Sequence, residues 1–178
     1  MVGVCMPGEL LDIVNERDEV IGQEYRETVY AQKSSAFRVV NGFLVNDAQQ
    51  VWIPRRSAGK KLFPLCLDTS IGGHVAAGES YEVAFAREAQ EELAVDVTSL
   101  PCSFAGKLTP HSHNVSAFMH VYILRTNIDP DYNRSDFVEA CWKSPTEVIE
   151  SIKNGEPAKG DLLPLLIFLH NWLQQSAR

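Results

Sequence analysis

Over residues 9–22 (ELLDIVNERDEVIG) apolar side chains form two short runs around a polar turn of Asn15, Glu16, Arg17 and Asp18. That pattern predicts a β-hairpin. A charged stretch over 23–33 follows, as a short helix or a connector. Two apolar, β-branched runs at 37–45 and 51–54 flank the polar residues 46–50 and predict a second hairpin. A third strand-like run covers 67–75 and ends in glycines. The period then changes. Over 79–93 Val83, Ala86, Ala89 and Leu93 recur at helical spacing and predict an amphipathic helix with that stripe facing the core.

Downstream, strand-like runs recur at 95–97, 103–108, 115–124 and around Ala140, Cys141 and Trp142. Ser144 and Pro145 open a helix to about residue 153, which Asn154 and Gly155 stop. Asp161 is placed to cap a last helix to about residue 175, with Pro164 tolerated in its first turn. Strands and helices interleaved in this order predict an α/β sandwich around a mixed sheet. No repeat or flexible linker divides the chain, so the expectation is a single domain over 1–178, with 1–34 as an N-terminal β-hairpin arm.

Composition changes this picture little. The chain is 45% hydrophobic and 22% charged, as in globular proteins generally. Its net charge of −7 argues against a nucleic-acid scaffold as partner, since that needs a basic face. A polyphosphate still fits if arginines, lysines or a metal cation offset the repulsion. Cys5, Cys66, Cys102 and Cys141 form no metal-binding pair and no disulfide framework, so reduced thiols in a cytoplasmic protein are expected. The apolar segment 162–173 is too short to span a bilayer and carries Pro164 and His170, which makes it a core helix or an oligomer contact.

The chemistry concentrates at 73–95, GHVAAGESYEVAFAREAQEELAV. On the predicted helix Glu88, Glu91 and Glu92 stand at i, i+3 and i+4, within an arc of about 100°, away from the Val83 stripe. Their Cβ atoms then lie about 5–6 Å apart. Three like charges this close destabilise a helix unless a cation sits among them, and oxygen ligands without a nearby cysteine favour Mg²⁺ or Mn²⁺ over zinc. A solvated acidic face is the plain alternative. The surroundings favour the metal: Gly72 and Gly73 let backbone approach closely, and Arg87 is placed to hold Glu79 in a bidentate pair.

This segment resembles the Nudix signature: Gly, five residues, Glu, seven residues, Arg-Glu, an aliphatic, any residue, Glu-Glu, any residue, Gly, an aliphatic. Gly73, Glu79, Arg87, Glu88, Ala89, Glu91, Glu92 and Val95 stand at the required positions. Ala94 replaces the usual glycine, which bears on the turn at the helix end and not on the ligands. The resemblance implies the Nudix fold, an α/β/α sandwich, and hydrolysis of a phosphoanhydride bond in a nucleoside diphosphate or a molecule linked to one. It implies Glu88, Glu91 and Glu92 as ligands of Mg²⁺ or Mn²⁺, helped by a backbone carbonyl of Gly72 or Gly73. Glu79 and Arg87 become their support, and Glu88, Glu91 or a later carboxylate such as Glu139 the acceptor of water's proton. Glu139 reads equally well as an ordinary surface residue.

Outside the box, Arg55 or Arg56 is a candidate phosphate contact, with a solubility role on an edge strand as the alternative. His111 and His113 are candidates for the substrate pocket, against a plain polar turn. Phe63 or Phe118 could stack a nucleobase, while Trp52, Trp142 and Trp172 read as packing residues and His120 and His170 as core histidines. The flanks, LLDIVNERDEVIG and 63–74, also resemble the isopentenyl diphosphate isomerases on this fold. Those enzymes carry a catalytic cysteine where this chain has Gly72, and their N-terminal histidines are missing, because the first histidine here is His74. An isomerase-like scaffold with hydrolase chemistry is the expectation. The alternatives are an isomerase and a non-catalytic nucleotide-binding module, and a homodimer through the arm or the tail helix is open.

Overall fold

The structure is a computed structural model that describes residues 8–176; Cys5 lies outside them. The arm forms as its two apolar runs and polar turn predict: β1 (Leu10–Val14) and β2 (Val20–Tyr25) pair antiparallel, from Leu10↔Tyr25 to Val14↔Val20. Asn15 ties the turn, its side-chain oxygen accepting from the Arg17 and Glu19 amides. The charged stretch divides between the end of β2 and a short helix, α1 (Arg26–Ala31). The arm is fastened to the rest of the chain: Ala77 N donates to Leu10 O, Gly78 N to Asp12 Oδ2, and Leu11 is fully buried.

The main sheet holds β3 (Arg38–Val45), β4 (Val51–Arg56), β5 (Ile71–His74), β6 (Cys102–Leu108), β7 (Phe118–Arg125) and β8 (Phe137–Lys143). Its order is β6-β7-β3-β4-β8, with β5 also on β3. β3 runs parallel to β7 over its whole length but meets β4 only at Val45↔Val51. At the other end of β3 the partner is β5, from Val39↔His74 to Gly42↔Ile71. The second hairpin therefore splays, and β5 fills the gap with the segment that leads into residues 73–95.

Side-chain alternation divides the core into two layers. Phe43, Val45, Val51, Ile53, Met119, Val121 and Ile123 face α4 (Pro145–Lys153) and α5 (Leu162–Ser176). Val40, Leu44, Trp52, Tyr122 and Leu124 face α2 (Tyr81–Leu93). This is the expected α/β/α sandwich around a mixed sheet. Gly42 makes the α2 contact possible, since a Cβ there would lie 2.5 Å from the Phe85 ring. α4 carries a full capping box between Ser144 and Glu147. Among the described residues no helix is long and apolar enough to cross a membrane.

Four local readings are corrected. The buried stripe of α2 is Tyr81, Ala84, Phe85, Ala89 and Leu93, whereas Val83 is exposed, because the helix is rolled so that Glu92 also turns inward. Residues 95–97 do not form a strand: Asp96 accepts from Thr98 N and winds Val97–Ser99 into a single 3-10 turn. Only Ile71–His74 of the 67–75 run is a ladder strand, while Leu67 makes isolated bridges to Arg55 and Ala158. Asp161 does precede α5, but its carboxylate accepts from Ser116 N and Oγ instead of capping the helix.

Candidate active site

Helix α2 is held in place at both ends. Ser80 caps its start by accepting from Val83 N, and Ala94 closes it in the left-handed conformation, φ 52°, where the signature has glycine. Between these ends, Glu88, Glu91 and Glu92 reach a cleft of about 300 Å³. The cleft runs between α2, β3 and β5, and the loops before β5 and α5. Gly72 and Gly73 allow this approach. Gly72 N donates to Glu92 Oε2 at 2.9 Å, and a Cβ on Gly73 would fall 2.0 Å from the Glu88 carboxyl group.

Behind the carboxylates lies an ion-pair network. Arg87 grips both oxygens of Glu79, Nε to Oε1 at 2.9 Å and Nη2 to Oε2 at 3.0 Å. It also donates to Glu88 Oε1 at 2.7 Å and to His74 O at 3.0 Å. The Arg87 bonds pull Glu79 below its usual pKa. Burial acts the other way on the ligand candidates. It pushes Glu88 up to about 6 against the pull of Arg87, with Glu91 nearby raising it further. It pushes Glu92 well above the carboxylate range, helped by the charges of Glu88 and Asp68. Glu91 stands beside them with its side chain 59% exposed.

A buried and a half-buried carboxylate whose charges resist burial, an exposed third beside them, and oxygen donors alone form a set that suits a hard divalent cation. The set is not drawn around one point: among the described residues no three acidic, histidine or cysteine side chains are grouped for a metal, since Glu88 is engaged by Arg87 and Glu92 by Gly72.

The facing wall is basic. Arg56 donates to Asp68 Oδ2 at 2.6 Å and to the carbonyls of Leu62 and Phe63. Lys159 lies 3.3 Å from Asp68 Oδ1, and Lys60 pairs with Asp136. His74 is half-buried and neutral, its pKa lowered to about 3 by desolvation and by Arg26, Lys159 and Arg87. Its proximity to Glu9 is therefore not an ion pair. Tyr30 Oη bonds its Nε2 at 3.0 Å and Phe37 stacks on it at 5.7 Å between ring centres.

Of the residues singled out in the sequence, Glu88, Glu91, Glu92, Gly72, Gly73 and Arg56 line the cleft together, with Glu79 and Arg87 directly behind. Phe63 is exposed at its rim, while Phe118 is buried. Arg55 turns the other way, to Glu139 at 2.6 Å and Glu156 at 2.9 Å, so neither Arg55 nor Glu139 lines the cleft. His111 and His113 also lie elsewhere, on the short helix α3 (Pro110–His113): His111 packs edge-on against Phe118, and His113 Nδ1 accepts from Thr109 N. Asn41, Asp68, Lys159, Tyr30 and Phe37 were missed. Asn41 alone left a signal, as the one polar side chain inside the apolar run 39–45.

The NUDIX domain family matches residues 36–166 of the chain. The chain belongs to that family. An uncharacterized Nudix hydrolase of Nostoc sp. is 53% identical over 158 residues, covering 89% of this chain and 94% of that one. The crystal structure of DR0079 from Deinococcus radiodurans superposes with a TM-score of 0.85 at 47% identity, covering 89% of this chain and 97% of that one. This Nudix protein is thus a hydrolase of the kind that acts on pyrophosphate bonds. The isomerase likeness of its flanks also appears, more distantly: an isopentenyl-diphosphate Delta-isomerase of Kocuria rhizophila is 24% identical over 150 residues, 82% of this chain and 83% of that one.

Proposed function

We propose that this cleft hydrolyses the phosphoanhydride bond of a nucleoside diphosphate, or of a second group joined to one, with Mg²⁺ or Mn²⁺ held by Glu88, Glu91 and Glu92. The observation that carries this reading is the pairing of opposite walls: a buried carboxylate, Glu92, and a half-buried one, Glu88, share one cleft with Arg56 and Lys159. When bound, the cation neutralises phosphate oxygens and lowers the pKa of a bound water.

The chain's own groups supply the rest. The Glu79–Arg87 pair fixes Glu88, and Gly72 N fixes Glu92, so both carboxylates are oriented before substrate arrives. Glu88 and Glu91 are the residues placed to take the proton of the attacking water, a contribution of about 10²–10⁴-fold. Arg56, pinned by Asp68, meets a phosphate oxygen. Phe63, exposed at the rim, offers a face to the substrate's base.

The test is incubation of the protein and its Glu92→Gln variant with Mg²⁺ or Mn²⁺ and a panel of nucleoside di- and triphosphates, nucleotide sugars, dinucleoside polyphosphates and isopentenyl diphosphate. Cleavage of an anhydride that needs metal and Glu92 supports the reading. Binding of nucleotides without product would make the protein a sensor. Double-bond migration in the isoprenoid would make it an isomerase despite Gly72.

A further inference from the structure

The basic wall is organised around a single buried acid. The side chain of Asp68 is 5% exposed, and it accepts from Arg56 through Oδ2 and from the Thr69 amide through Oδ1, with Lys159 Nζ 3.3 Å from Oδ1. One carboxylate thus orients two cations, which leaves that wall with a surplus positive charge. Lys159 is close to the reacting region: a Cβ on Gly72, the residue whose amide holds Glu92, would lie 3.7 Å from its Nζ. An ammonium has three donors, and Asp68 Oδ1 engages one direction only.

Asn41 adds an independent observation. It lies on β3 opposite Gly72, is 3% exposed, and lines the same cleft. Its Oδ1 faces Thr69 Oγ1 at 3.5 Å, but its Nδ2 has no hydrogen-bond partner among the described residues. A buried amide left without an acceptor costs about 1–3 kcal/mol, and such a group persists where a ligand supplies the missing oxygen. The Asn41 amide and the Lys159 ammonium are neighbours, since a Cβ on Gly72 would lie 3.5 Å from Asn41 Oδ1 and 3.7 Å from Lys159 Nζ, and the oxygen that fits beside an ammonium is an anionic one.

We propose that Asn41 Nδ2 and Lys159 Nζ, next to Arg56, form a subsite for a phosphate oxygen of the diphosphate. The proposal rests on the anhydride-hydrolase reading of the same cleft and adds two binding residues that lie outside its signature. Asp68 is the positioning residue that aims Lys159 and Arg56.

Calorimetric titration with methylenediphosphonate, an uncleavable diphosphate without a base, into the Mg²⁺-saturated protein tests it. Lys159→Gln and Asn41→Leu, a neutral change of similar size that removes the amide donor, should each weaken binding about 10- to 100-fold, the range for a hydrogen bond to a charged partner. Lys159→Arg, which keeps the ion pair with Asp68, should recover part of the loss, and Mg²⁺ affinity and melting temperature should stay near wild type. Undiminished affinity in both variants, in a protein that does cleave nucleoside diphosphates, would overturn the subsite and leave the hydrolase intact. Loss of Mg²⁺ affinity in step with the probe would also overturn it. A wild-type protein that neither binds the probe nor cleaves an anhydride would remove the hydrolase reading and the subsite together.

Discussion

Glu88, Glu91 and Glu92 reach the cleft from one stretch of α2, whereas Arg56, Asn41 and Lys159 line it from three separate segments, with Asp68 behind two of them. The acidic wall is local. Its geometry follows from helical periodicity, and its cost is electrostatic, borne by carboxylates that burial forces upward in pKa. The basic wall depends on tertiary structure, and its three cations, Arg56, Lys60 and Lys159, share the two carboxylates of Asp68 and Asp136. One wall is therefore strained until a cation arrives, while the other is assembled and waiting for an anion.

The largest expected effect breaks the acidic wall. Glu92→Gln should lower hydrolysis by about 10³-fold, since several kcal/mol of charge stabilisation go with the metal. The same change should raise the melting temperature of the metal-free protein, because a carboxylate that resists ionisation inside the fold is replaced by a neutral amide. Saturating Mg²⁺ should remove that advantage, since only the intact site gains from binding. Differential scanning calorimetry with and without metal checks both signs.

Next comes a contrast within the basic wall. Arg56→Met leaves Asp68, 5% exposed, short of its closest partner and should cost about 3 kcal/mol of stability in urea melts, with a higher KM. Its neighbour Arg55 pairs with Glu139 and Glu156, 65% and 33% exposed, so Arg55→Met should cost about 1 kcal/mol and leave KM unchanged. Equal effects at the two positions would erase the distinction between a cleft arginine and a surface one.

Adjacent arginines with opposite fates show what the sequence could and could not tell. The box residues, both hairpins, the helix caps at Ser144 and the sandwich were readable because each depends on near neighbours in the chain. Arg55 and Arg56 were not separable, because alternation along β4 decides only that they point apart, and the loops on either side decide which side is the cleft. Lys159, in a loop before α5, carried no local signal, and its role comes from Asp68 ninety-one positions earlier. Rotation of α2 was misread because a valine, Val83, was assigned inward ahead of a glutamate; packing of Phe85 against Gly42 overrides that preference.

A smaller effect follows from Glu79, which acts only through Arg87. Glu79→Gln weakens the bidentate grip and should reduce turnover about 10- to 100-fold while the fold persists, as steady-state kinetics and circular dichroism would show.

A pH-dependent effect is expected at His120, stacked on Tyr81 at 3.5 Å and held neutral by burial, its pKa lowered to about 4. Because the unfolded histidine takes a proton at about 6.5 and the folded one does not, stability is complete above that pH. It declines as pH falls toward 4, by at most about 1.4 kcal/mol per unit. Wild type should lose stability relative to His120→Gln across this window, in parallel thermal melts at pH 7 and pH 5.

The division between the walls is tested most directly by titrating Mn²⁺ into the substrate-free protein and following the free ion by electron paramagnetic resonance. Wild type and Arg56→Met should bind Mn²⁺ alike, and Glu92→Gln should bind it at least about tenfold more weakly. A wild-type protein that leaves Mn²⁺ free, or an Arg56 variant that loses the ion as completely as the Glu92 variant, would contradict the account.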